Sequence, residues 1–151
     1  MLLIPAALLM SGCSSGRLTA KGYRDELAKF YVNFLFDFRM VADVVVDSGD
    51  IWTVGDMTGF DKNCKNYLDT LRTLEKINPP IEYELKHQEL VSYLDDLRSY
   101  TEVVKNYTEC VSQKQFKAAV EELRTLSDTV ITFLGQYLEL MQELDVAVGL
   151  V

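Results

Sequence analysis

The feature that most constrains this chain is a run of apolar residues near its C-terminus. Phe116, Ala119, Leu123, Leu126, Val130, Phe133, Tyr137, Leu140, Leu144 and Ala147 follow steps of three and four residues without a break. Only an α-helix brings such positions onto one face. Val120, Leu134, Met141 and Val148 flank the stripe and widen it to the breadth a bundle helix needs. A helix of that length cannot bury so wide a face alone, so the rest of the chain must supply apolar partners. Ser112-Gln113-Lys114-Gln115 precedes it and reads as a capping box.

Three further segments carry the same spacing. Leu27, Tyr31, Phe34, Phe38, Val41 and Val45 mark a first helix from about 18 to 46, broadened by Phe30 and Leu35. Phe36 falls off its main stripe, and Gly49 marks its break. Met57, Phe60, Cys64, Tyr67, Leu71 and Leu74 line a second helix from about Gly59 to Ile77. After Asn78-Pro79-Pro80, a third stripe runs through Tyr83, His87, Leu90, Leu94, Leu97, Thr101, Val104, Thr108 and Val111. Proline suits a first helical turn, and Glu82 and Glu84 suit the positive end of the dipole. The residues from Asp47 to Asp56 read as a loop with room for a short helical turn around Ile51 and Trp52. No long linker or internal repeat divides the chain. The expectation is an all-α, antiparallel up-down-up-down four-helix bundle.

Composition narrows the function classes. Of 151 residues, 48% are hydrophobic, which is enough for one core. The net charge of −8 repels phosphates and argues against a nucleic-acid partner. One histidine and three cysteines leave little for metal or nucleophilic chemistry. Glu84 and His87 form one Glu-x-x-His step, but a bundle di-iron site uses two. Asp47, Asp50 and Asp56 miss the calcium-loop pattern, because counting from Asp47 puts Gly49, Ile51 and Thr58 where ligands are required. A Cys–His nucleophile would need His87 near Cys64, and a hairpin turning at Pro79 separates them by ~10 Å along the axis. The chain reads as a non-enzyme without a cofactor.

The chain opens with a short apolar run that ends Met10-Ser11-Gly12-Cys13, followed by Ser14-Ser15-Gly16. The run is too short to span a bilayer, which takes ~20 residues, and reads as the core of a secretory signal. Its ending resembles the lipobox of bacterial lipoproteins, with Met10 where that family usually has leucine. The resemblance covers residues 2–15 alone. It implies a signal peptide over 1–12, cleaved before an acylated Cys13. A tether over 13–17 and a bundle domain over 18–151 would follow. The product would sit on the extracytoplasmic face of the cell membrane or outer membrane, held by its lipid, with an envelope protein as partner. By the same analogy, Ser14 permits outer-membrane sorting.

Several residues stay open between two roles. Cys64 and Cys110 make an even pair of the kind that exported proteins oxidise to a disulfide. Yet a straight hairpin turning at Pro79 sets their levels 16 residues, or ~24 Å, apart. Tyr93, Tyr100 and Tyr107 recur every seven residues and, with Trp52 in its loop, are either boundary packing or a partner surface. His87 reads as a hydrogen-bonded, partly exposed residue of the core-facing stripe. The leading function is a binding or scaffolding module in the envelope. The alternative is a carrier holding an apolar ligand between helices, or a haem through His87 and Met57 or Met141.

Overall fold

The computed structural model describes residues 16–47, 52–110 and 112–151, with the backbone alone at residues 46, 47, 52 and 53. Among these residues the protein is a helical bundle. Helix α1 (Ala20–Ala42) leads to a small hairpin of β1 (Val45–Asp47) and β2 (Trp52–Val54). Helix α2 (Phe60–Lys76) follows, then a 3₁₀ turn (Ile81–Tyr83), α3 (Glu84–Ser92), α4 (Leu94–Thr108) and α5 (Gln113–Ala147). Helix α1 packs on α2, α2 on α4, α4 on α5, and α5 back on α1, which closes the bundle around one core.

The helix ends have local causes. The Thr19 hydroxyl accepts from the Gly22 amide, satisfying an orphan donor at the start of α1. The Ser112 hydroxyl accepts from the Gln115 amide and meets the Gln115 side chain, as the capping-box reading expects. Gly59 precedes α2 with φ of 74°, a left-handed backbone that glycine adopts without steric cost.

Three stretches differ from the sequence reading. The first helix stops at Ala42, short of the expected 46, because the chain turns into β1. Val45 pairs with Val54, Val46 with Thr53 and Asp47 with Trp52 in an antiparallel register. Trp52 therefore begins a strand and not a helical turn; Ile51, Asp50 and Gly49 lie outside the described residues. Three-residue strands are too short to leave a readable alternation.

The third helix is broken. Tyr93 has a backbone near the bridge region (φ −80°, ψ −12°), and its amide bonds to Leu90, three residues back. Ser92 adds a hydroxyl bond to the Glu89 carbonyl. Such tightening re-aims the helix. The segment after it, α4, is buried across a wide face that includes Leu97, Tyr100, Val103, Val104 and Tyr107.

The core is aromatic at its centre. Phe133 stands against Phe30, Phe34 and Tyr93, and Phe34 also meets Phe38 and Tyr67. Tyr31 stacks on Tyr137 with ring centroids 4.6 Å apart. Two buried hydroxyls are satisfied by backbone: Tyr137 donates to the Leu27 carbonyl and Tyr67 to the Leu97 carbonyl, each at 3.0 Å.

Candidate functional site

The start of the described chain is strapped to one end of the bundle. The Leu18 amide donates to the Asn78 carbonyl at 3.0 Å. The Arg17 guanidinium donates to the Pro79 carbonyl and pairs with Glu84. The α5 end closes the same side through Arg24–Asp145 at 2.8 Å and Lys86–Glu143. Arg17, which the sequence reading gave to the tether, thus belongs to the folded body. Cys13 and the signal-like run before it lie outside the described residues.

His87 lies in the interior, more deeply than the partly exposed position expected of it. Its Nδ1 is 3.0 Å from the Tyr23 hydroxyl, and the ring also bonds the Leu74 backbone. Burial pulls the His87 pKa below its ordinary value, and the Leu74 bond only partly opposes this. The ring is therefore engaged within the protein. Met57 is exposed on the approach to α2, and Met141 is partly buried against the core. Among the described residues, no group of three or more histidine, cysteine, aspartate or glutamate side chains is arranged to hold a metal ion.

The heptad tyrosines divide. Tyr100 and Tyr107 are core residues: Tyr100 meets Phe38 with centroids 5.0 Å apart, and Tyr107 meets Phe116 at 5.3 Å. Both rings are buried, with α4 packed against α2 on one side and α5 on the other. Tyr93 is half-buried at the helix break, edge-on to Phe133. The side chain of Trp52 is not described.

Cys64 and Cys110 are free thiols. Cys64 is partly buried in the stripe of α2, where burial, helped by Asp61, pushes its thiol up to about 11. Cys110 lies just past α4, with its Sγ 3.1 Å from the Asn106 carbonyl. A neutral, half-buried thiol is a poor nucleophile. In the acidic loop, Asp56 is exposed and accepts from the Thr58 amide; the Thr58 side chain first and this amide second lower its pKa.

Open grooves run along the α4–α5 seam. One, of about 530 Å³, is lined by Glu102, Val103, Asn106, Glu121, Glu122 and Leu126 among others. A second, of about 350 Å³, continues past Asn106 to Glu109, Cys110 and Gln115. Their lining is rich in carboxylates and amides. Chemically this seam can accept hydrogen bonds and attract cationic groups.

The Tyr23–His87 contact escaped the sequence reading. Its signal was present, since Tyr23 extends the Leu27 stripe by one step of four, but pairing it with a residue 64 positions away needs the fold. The outward apolar face of α1 was signalled by Phe36 alone. In the structure Val32 and Met40 join it.

No family model, no curated protein and no solved structure matches this chain. Among the described residues, no helix is long and apolar enough to cross a membrane.

Proposed function

We propose that this protein is a lipid-anchored lipoprotein of the bacterial envelope. Its bundle, up-down-up-down in topology, acts outside the cytoplasm as a binding or scaffolding module. The observation that carries the reading is Met10-Ser11-Gly12-Cys13, whose small residues and thiol fit cleavage and acylation. Two or more acyl chains anchor stably, since each buried CH₂ contributes ~0.8 kcal/mol.

The geometry is compatible with that role. The strap at Arg17 and Leu18 begins the folded body four residues after Cys13. A link that short spans at most ~14 Å, so the bundle would be held close to the lipid. Confinement raises the effective concentration of a tethered module toward partners on the same surface. The long helices, with aromatic rings filling the space between them, give a stiff body suited to holding a partner at a fixed distance. The same filling gives no support to the carrier alternative, because Phe34, Tyr67, Phe133 and Tyr137 occupy the centre where an apolar ligand would lie.

Detergent-phase partitioning of the full chain expressed in a bacterium tests the reading. Wild type is expected in the detergent phase, with a mass matching cleavage before an acylated Cys13. Cys13→Ser is expected uncleaved and unacylated. An unacylated wild-type chain that retains residues 1–12 would overturn the proposal.

A further inference from the structure

We infer that α1 carries a self-complementary surface for a second copy of this chain, centred on Phe36. The outward face of α1 presents Lys29, Val32, Phe36, Met40 and Asp43 in sequence. Val32 is 67% exposed, Phe36 66% and Met40 39%. The side chains of Lys29 and Asp43 are 69% and 64% exposed.

The spacing is symmetric about Phe36. Val32 and Met40 lie four residues to either side, and Lys29 and Asp43 lie seven to either side. The sequence is thus a positional palindrome with opposite charges at its ends. In a two-fold interface, residue i meets j and j meets i. An antiparallel pair of α1 helices with its axis at Phe36 therefore sets Phe36 against Phe36 and Val32 against Met40. It also sets Lys29 against Asp43 twice. A parallel pair would oppose Lys29 to Lys29 and Asp43 to Asp43, at a cost in repulsion. Asn33 and Arg39, three residues to either side, meet as amide and cation with no like-charge clash.

Within one copy, Lys29 pairs with Glu26 and Arg39 with Asp43, each inside the helix. Those contacts leave Val32, Phe36 and Met40 uncovered. One helix pair buries less than the ~800 Å² per partner of a standard interface, so the association is weak in dilute solution. The inference does not depend on acylation of Cys13. If both copies are tethered in one lipid surface, the antiparallel arrangement sends their N-terminal ends apart, and the pair lies along that surface.

Oxidative cross-linking of the full chain tests this in a Cys13→Ser, Cys64→Ser, Cys110→Ser background, with copper phenanthroline as oxidant. Phe36→Cys is expected to give a disulfide-linked dimer of this chain. Leu85→Cys, on α3 and somewhat more exposed than Phe36, serves as the control for random collision. Lys29→Cys co-expressed with Asp43→Cys is expected to give the mixed dimer in preference to either homodimer. Lys29→Asp is expected to lower the Phe36→Cys yield about tenfold through like-charge apposition. Adding Asp43→Lys in the same chain is expected to restore it. The inference is overturned by Phe36→Cys yields no higher than the control, as when lipid or an unrelated partner covers α1. A Lys29–Lys29 preference, or a double reversal that restores nothing, overturns it equally. Circular dichroism of each variant checks that these surface changes leave the bundle folded.

Discussion

The Tyr23 hydroxyl lies 3.0 Å from Nδ1 of His87 and ties the first turn of α1 to α3 inside the core. The bond is made by a neutral ring, because burial disfavours the imidazolium. His87 is a base whose folded pKa lies below its ordinary 6.5 because burial disfavours the charge. The unfolded chain therefore takes up the proton first. Stability is complete above about pH 6.5 and declines as pH falls through that value toward the lower folded pKa. Urea midpoints measured from pH 8 to pH 5 are expected to drop on the acid side. Tyr23→Phe is expected to cost about 1–3 kcal/mol at neutral pH by leaving a buried ring nitrogen unpaired. Midpoints that do not vary with pH in this range would contradict the assignment of a buried neutral ring.

Phe133 is the hub of the aromatic centre. It is fully buried and touches rings from α1 and from the α3–α4 break. Phe133→Ala is expected to cost about 3–5 kcal/mol, the transfer term plus an unfilled cavity. Ile131, two residues earlier on the same helix, is 67% exposed. Ile131→Ala is expected to change stability by no more than ~0.5 kcal/mol. Denaturant titration of the two variants separates them.

The contrast between Phe133 and Ile131 was legible in the sequence, because a three-four stripe along α5 leaves only one register. Phe116 to Leu144 are buried or half-buried as that stripe requires, while Ala147 at its end is exposed. Periodicity reports which face turns inward, and it did so for most positions of four segments, while Leu35 and Met57, read into the first two faces, are exposed. It does not report breaks set by one backbone angle, so Tyr93 interrupts a stripe that reads as continuous. It is also silent on how many neighbours cover a helix. Tyr100 and Tyr107 sit beside the α4 stripe, where a helix packed on one side would expose them. Packing against both α2 and α5 buries them instead. The hydroxyl partners of Tyr23, Tyr67 and Tyr137 lie 30 or more residues away in the chain and become visible only with the fold.

Those buried phenols set an alkaline limit. Burial raises Tyr100 to about 12 and carries Tyr23, Tyr67 and Tyr137 higher still above their ordinary 10. The folded state holds each as the neutral phenol, whereas the unfolded chain ionises near 10. Stability is therefore complete below about pH 10 and is lost as pH rises through it. Tyrosinate absorbance is expected to rise in two phases. The first accompanies an intact circular dichroism signal, and the second coincides with its loss. A single phase near pH 10 with the helices intact would show these rings to be accessible.

Cys64 supplies a kinetic test of the same packing. Its thiol is pushed from an ordinary value near 9 up to about 11, chiefly by burial against the core side of α2. Alkylating reagents attack the thiolate, and a rise of two pKa units leaves roughly a hundredfold less of it at pH 8. Iodoacetamide is therefore expected to modify Cys64 of the folded chain at least about a hundredfold more slowly than Cys64 of the same chain in urea, with limited access slowing it further. Peptide mapping after timed quenching assigns the label to Cys64 rather than Cys110. Disrupting the packing around α2 should release this protection. Leu71→Ala, which hollows the buried face of α2, is expected to speed Cys64 labelling in native buffer by raising the population of open states. If Cys64 in the wild type reacts at the denatured rate, α2 does not hold that side chain against the core.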